Sequence, residues 1–103
     1  MSTAHIGMDA VGFEELDVST SAVGFDATVI TPDVTPPVNA ALVTIETAAA
    51  RWRIDGSDPT ASVGHLLDTT DNDLVILGSN NVRRFRAIRD AGSDAKLFVT
   101  YYR

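Results

Sequence analysis

The chain has no cysteine, so it has neither a disulfide framework nor a thiolate metal site, and cysteine usage says nothing about its redox compartment. It has no apolar run approaching the roughly 18 residues that a membrane helix needs. Met1-Ser2-Thr3-Ala4-His5 lacks the basic and apolar regions of a secretory signal. The expectation is a protein made in the cytoplasm and not secreted by that route, with no membrane partner. Base is missing from a whole half of the chain. The first fifty residues hold seven acids and no Lys or Arg, while all eight basic residues follow position 50, against seven further acids. The net charge of −6 argues against a nucleic-acid partner, since phosphate contacts need clustered cations. The split itself predicts that the acidic half lies against the basic strands, within one subunit or on a neighbour.

What is present is β pattern. At 103 residues with 45% hydrophobic content, the chain has room for one modest core. Ala50, Trp52 and Ile54 alternate with Arg51, Arg53 and Asp55, the period of a half-buried strand. The strand breaks at Asp55-Gly56-Ser57-Asp58-Pro59. There Gly56 accepts positive φ, Asp55 and Asp58 can bond nearby N–H groups, and Pro59 restricts its predecessor. Gly64 to Leu67 then opens another strand.

Elsewhere residues 1–13 read as an N-terminal arm, and 14–103 as the folded domain. Strands are expected at Glu14 to Thr20, Ala27 to Thr31 and Ala40 to Thr47. Pro32 to Pro37 reads as an extended connection. Ala48 to Ala50 is too short a run for a helix and reads as a turn or bulge. Asp73 to Leu77 is a continuous apolar run, expected to be a strand covered on both faces. Val82 to Arg89 reads as a strand, Asp90 to Asp94 as a hairpin turn, and Ala95 to Tyr102 as a final strand with apolar groups on both faces. The expected fold is all-β: a single antiparallel β-sandwich or small barrel of about seven or eight short strands, with no helix.

Chemistry is thinly represented. Ser57 or Ser62 with His65 and an Asp lacks any nucleophile-elbow context for a hydrolase. Asp55, Asp58, Asp68, Asp71 and Asp73 do not follow a calcium-loop spacing, and such residues are common in turns. The expectation is therefore a non-enzyme with no catalytic, cofactor-binding or metal residues. Interface candidates are the basic segment Arg83, Arg84, Arg86 and Arg89, together with Phe98 and Tyr102 on the last strand.

Two resemblances follow from Arg51-Trp52-Arg53-Ile54-Asp55-Gly56-Ser57-Asp58-Pro59-Thr60, Gly64-His65, Phe85-Arg86-Ala87-Ile88-Arg89 and Val99-Thr100-Tyr101-Tyr102. As a set, covering about the C-terminal half, they resemble a group of small phage-encoded virion proteins. That resemblance implies a homo-oligomeric structural subunit in the virion, partnered with major capsid or with tail or neck subunits, and most simply a head decoration or cementing protein. Ile54 to Thr60 alone is similar to a turn of fibronectin-like modules appended to carbohydrate-active enzymes, with Arg53 where those have Tyr. It implies a carbohydrate-binding or spacer module. The chain's extent, Met1 to just past its last strand, favours the stand-alone subunit. Under both, Asp55, Gly56, Asp58 and Pro59 form a structural turn.

Overall fold

A computed structural model describes residues 9–30, 37–70, 73–90 and 92–103. The fold is all-β, two antiparallel sheets packed as a sandwich. The strands are β1 (Ala10–Val18), β2 (Ala40–Glu46), β3 (Ala50–Arg53), β4 (His65–Leu67), β5 (Leu74–Leu77), β6 (Arg86–Arg89) and β7 (Ala95–Tyr102). One sheet runs β1-β7-β2-β5 and the other β4-β3-β6.

The longest pairings fix the first sheet. β7 lies between β1 and β2, matching Leu97 to Leu16 and Ile45, and Val99 to Glu14 and Val43. Its alternate residues Ala95, Leu97, Val99 and Tyr101 are buried. They share one core with Val18, Val43 and Ile76 from their own sheet, with Ala50, Leu67 and Ala87 from the other, and with Phe85 just before β6. Aromatic rings fill the centre: Phe25 stacks on Phe85 at 4.3 Å and meets Tyr101 edge-on at 5.5 Å. Trp52 is half-buried against Phe85 at 6.1 Å and His65 at 4.8 Å.

Four sequence expectations need correction. Ala27 to Thr31 is not a strand. Ala27–Ile30 forms a short helix, α1, because Asp26 caps it: its carboxylate accepts the N–H and hydroxyl of Thr28, and its carbonyl accepts the N–H groups of Val29 and Ile30. Thr31 and most of Pro32 to Pro37 lie outside the described residues.

Val82 to Arg89 is also not one strand. Ser79–Arg84 forms a second helix, α2, and only Arg86–Arg89 is β6. The chain bends into α2 at Gly78, whose φ of 100° suits glycine, and its carbonyl accepts the Val82 N–H.

Asp90 to Asp94 does not close a hairpin. It carries the chain from one sheet to the other, because both edges of β6 are already used. β3 takes one, and Val23 takes the other by exchanging two 2.9 Å hydrogen bonds with Ala87.

Finally, β5 is an edge strand and is not covered on both faces. Smaller shifts occur at the start. β1 begins at Ala10, so residues 10–13 of the expected arm are paired with β7, while residues 1–8 lie outside the described residues.

Candidate docking surface

The sandwich has two outward sheet faces, and the chain treats them differently. On the three-stranded sheet, Arg51 points outward in register with Leu66 and Ile88. The Asp55-to-Gly64 loop folds back over Arg51 and towards Ile88, and leaves Leu66 exposed. Pro59 is buried, and a Cβ built on Gly64 would lie 3.1 Å from the Pro59 Cβ and 3.2 Å from that of Arg51. Arg51 ties the loop down by donating to the Gly64 carbonyl at 3.2 Å and to Asp90 at 2.8 Å. Ala61 and Ile88 together line a recess of about 210 Å³.

The expected structural turn is here. Gly56 has φ 90°, Asp55 accepts the Ser57 N–H, and the Arg53 guanidinium beside Asp55 holds its carboxyl below the usual range. Thr60 and Val63 then close a small bridge. The motif that dominates the sequence is a self-made cover.

The outer face of the four-stranded sheet has no such cover among the described residues. Cross-strand register builds it in rows. Tyr102 and Leu77 flank Ala40 in the first, and Phe13, Thr100, Leu42 and Val75 share the second. Glu15, Phe98 and Thr44 form the third, and Asp17, Lys96 and Glu46 the fourth. Phe13 is 62% exposed and stacks on Phe98 with ring centroids 6.2 Å apart, and Leu77 is 59% exposed. Large apolar groups adjoining on a bare sheet face are the kind of patch that marks an interaction site.

The sequence-derived interface residues fall in three places. Phe98 and Tyr102 lie on this open face. Arg83 and Arg84 end α2, where Arg83 bonds the Asn80 side chain and Arg84 is exposed. Arg86 is structural: its guanidinium lies over Gly24, where a Cβ would come within 2.4 Å of Nη1, and it donates to the carbonyls of Phe85 at 2.8 Å and Arg83 at 3.3 Å. Arg89 pairs with Asp94 at 2.9 Å.

The six residues therefore do not form one surface. Phe13, Leu42, Val75 and Leu77 were missed. Phe13 was assigned to the arm, and Val75 and Leu77 to a fully covered strand. Their signal was the apolar residue placed on the same parity as Glu15 and Asp17 in β1, and the uncharged run of β5.

Electrostatics elsewhere serve the fold. Among the described residues, the predicted pairing of acidic half with basic half is seen where Lys96 reaches Glu15 at 3.4 Å and Asp17 at 3.9 Å. The other ion pairs join residues within the second half. Tyr101 donates its hydroxyl to Glu14, which also accepts the Asp26 N–H at 2.8 Å, so Glu14 links β1, β7 and the start of α1. Burial, then this acceptor, pushes the Tyr101 hydroxyl well above its ordinary range. Asp94 is held low by the Ser19 hydroxyl and then Arg89, and Asp26 by the hydroxyl and N–H of Thr28. Among the described residues, no three acidic or His side chains gather as a metal-ion site; Asp71 lies outside them. His65 rests on Trp52.

Compared with known protein families, curated proteins and solved structures, the chain matches none.

Proposed function

We propose that this chain is a non-enzymatic structural subunit of a bacteriophage virion, most simply a head decoration protein, that docks on capsid subunits through the outer face of its four-stranded sheet. The observation that carries this reading is the outward apolar face on which Phe13 and Leu77 are exposed and Phe98, Leu42, Val75 and Tyr102 are half-buried between them. A monomer gains nothing by leaving stacked phenylalanines in water, whereas a docked subunit buries them. The virion setting is supported by the resemblance over Arg51 to Leu67 and Val82 to Arg103, residues that here form the sheet-covering loop and the strands β6 and β7.

The test is co-sedimentation of the purified protein with separated heads and tails from phage lacking it. Saturable binding to heads, lost in the Phe13→Thr/Phe98→Thr variant, is the expected result. Binding only to tails at a few copies moves the subunit to the neck or tail, and binding to neither removes the virion setting.

A second reading has its own observation. The Phe13–Phe98 pair, with rings inclined by only 20°, makes an aromatic platform of the sort a carbohydrate-binding module stacks under a sugar. Thr100, Glu15 and Thr44 adjoin the pair and could meet sugar hydroxyls, but Leu42, Val75 and Leu77 continue the apolar surface beyond the pair, which favours a protein partner. Glycan-array binding abolished by Phe13→Thr reverses that preference.

A further inference from the structure

The docking face is polarised along its strands, and the polarity says what the partner carries. Its first two rows hold no charge: Tyr102, Leu77, Phe13, Leu42 and Val75 meet only Thr100 and alanine. Acids enter with Glu15 beside Phe98, and the last row is Asp17, Lys96 and Glu46. Among the described residues Lys96 is the single cation on the face, and it is already shared between Glu15 and Asp17. Three carboxylates against one ammonium leave that end negative.

We infer that the partner is a different protein, presenting an aromatic or aliphatic patch with Lys or Arg on one side only. The basic groups would sit about 13 Å from the apolar anchor, the span of the four residues from Phe13 to Asp17 along a strand. This rests on the docking role proposed above and adds the partner's chemistry and its orientation. Apolar burial supplies the attraction, and the acidic end sets which way round the partner lies. A second copy meeting the same face is disfavoured in either sense: strands running the same way bring three carboxylates onto three, and reversed strands lay those carboxylates over uncharged rows that offer them no cation. An anionic lipid surface is disfavoured by its like sign.

The experiment uses two synthetic strand peptides with one shared Phe- and Val-rich segment, ending in three Lys or in three Glu. Each is titrated into the isotope-labelled protein, and backbone amide shifts are followed. The expected result is that the Lys peptide shifts the amides of Phe13, Phe98 and Thr100 and binds about fivefold or more tightly than the Glu peptide at low salt. That preference shrinks towards none near 0.5 M salt, where screening reaches a few ångströms. Asp17→Lys/Glu46→Lys reverses it, and should that variant not fold, the comparison of peptides on the native protein still decides. Equal binding of both peptides, shifts confined to the three-stranded sheet, or no binding of either at millimolar concentration overturns the inference. The peptides contain no phage component, so failure to sediment with heads or tails removes the virion setting and leaves this result untouched.

Discussion

The two outer faces of this sandwich solve the same problem in opposite ways. Each sheet is too thin to bury residues on both sides with one core between them. The three-stranded sheet carries Arg51, Leu66 and Ile88 outward and folds its own loop over the middle of that row, placing Gly64 and Pro59 by Arg51 while Leu66 stays 47% exposed. The four-stranded sheet carries Phe13, Phe98, Leu42 and Val75 outward and has no matching loop among the described residues. The cover is part of the fold and the bare face is surplus to it. Substitutions on the first should therefore change stability, and substitutions on the second should change binding alone.

The largest expected effect on folding is Gly64→Val. Gly64 has φ 141°, and an added Cβ would meet the Trp52 carbonyl oxygen at 3.2 Å as well as Pro59 and Arg51. Backbone strain and overpacking add here, about 3 kcal/mol together. Urea denaturation of the variant should show a lowered midpoint with little change of slope. An unchanged midpoint means the loop is not fastened to the sheet as described. Arg51→Ala should cost less, about 1 kcal/mol, because it loses the hydrogen bonds to Gly64 and Asp90 and the alkyl stem beneath Pro59.

These contrasts bear on what the sequence could disclose. The alternation around Trp52, the β2 and β7 patterns and the break at Gly56 are local, and the strands formed where periodicity put them. The failures have non-local or capping causes. Thr28, Val29 and Ile30 are β-branched and favour a strand, yet Asp26 just before them offers a cap that decides for a helical turn. The Asp90 to Asp94 segment looks like a hairpin turn, and only the occupation of both β6 edges by β3 and Val23 rules that out. β5 was the informative error. A run of Leu-Val-Ile-Leu implies cover on both sides when a fold is assumed to be complete in itself. At a sheet edge the same run leaves Leu77 exposed, which is what the docking surface proposed above would use.

Acid should weaken the fold at its turns and caps. Asp26, Asp55 and Asp94 all have lowered pKa values, owed first to Thr28, Arg53 and Ser19 respectively. Their contribution is complete above the ordinary carboxylate value near 4 and is lost as pH falls through the lowered values, because the unfolded chain then binds more protons. Stability measured from pH 6 to pH 2 should be flat and then fall below about pH 4, with Asp94→Asn shallower in that window than the parent. Tyr101 has the opposite sign. Its raised pKa keeps the phenol protonated in the fold, so stability holds up to the ordinary value near 10 and declines above it as the unfolded chain ionises. Alkaline unfolding that begins near pH 10 and is delayed in Tyr101→Phe checks this.

The smallest effect on folding decides the comparison. Phe13→Thr with Phe98→Thr removes two aromatic side chains, a change that costs about 3–5 kcal/mol per residue when the ring is in a core. Here Phe13 is 62% exposed and Phe98 is half-buried on the outer face and not in the core, and threonine keeps the β-branched preference of a strand. The midpoint of denaturation should stay within about 0.5 kcal/mol of the parent, as for surface substitutions generally. A loss above about 2 kcal/mol would show that the pair is packed against protein after all, and the face would be a second core rather than a docking surface. A neutral midpoint together with lost particle or peptide binding would separate the two faces cleanly, because the same apolar area would then count for nothing in the free subunit and for most of the affinity in the complex.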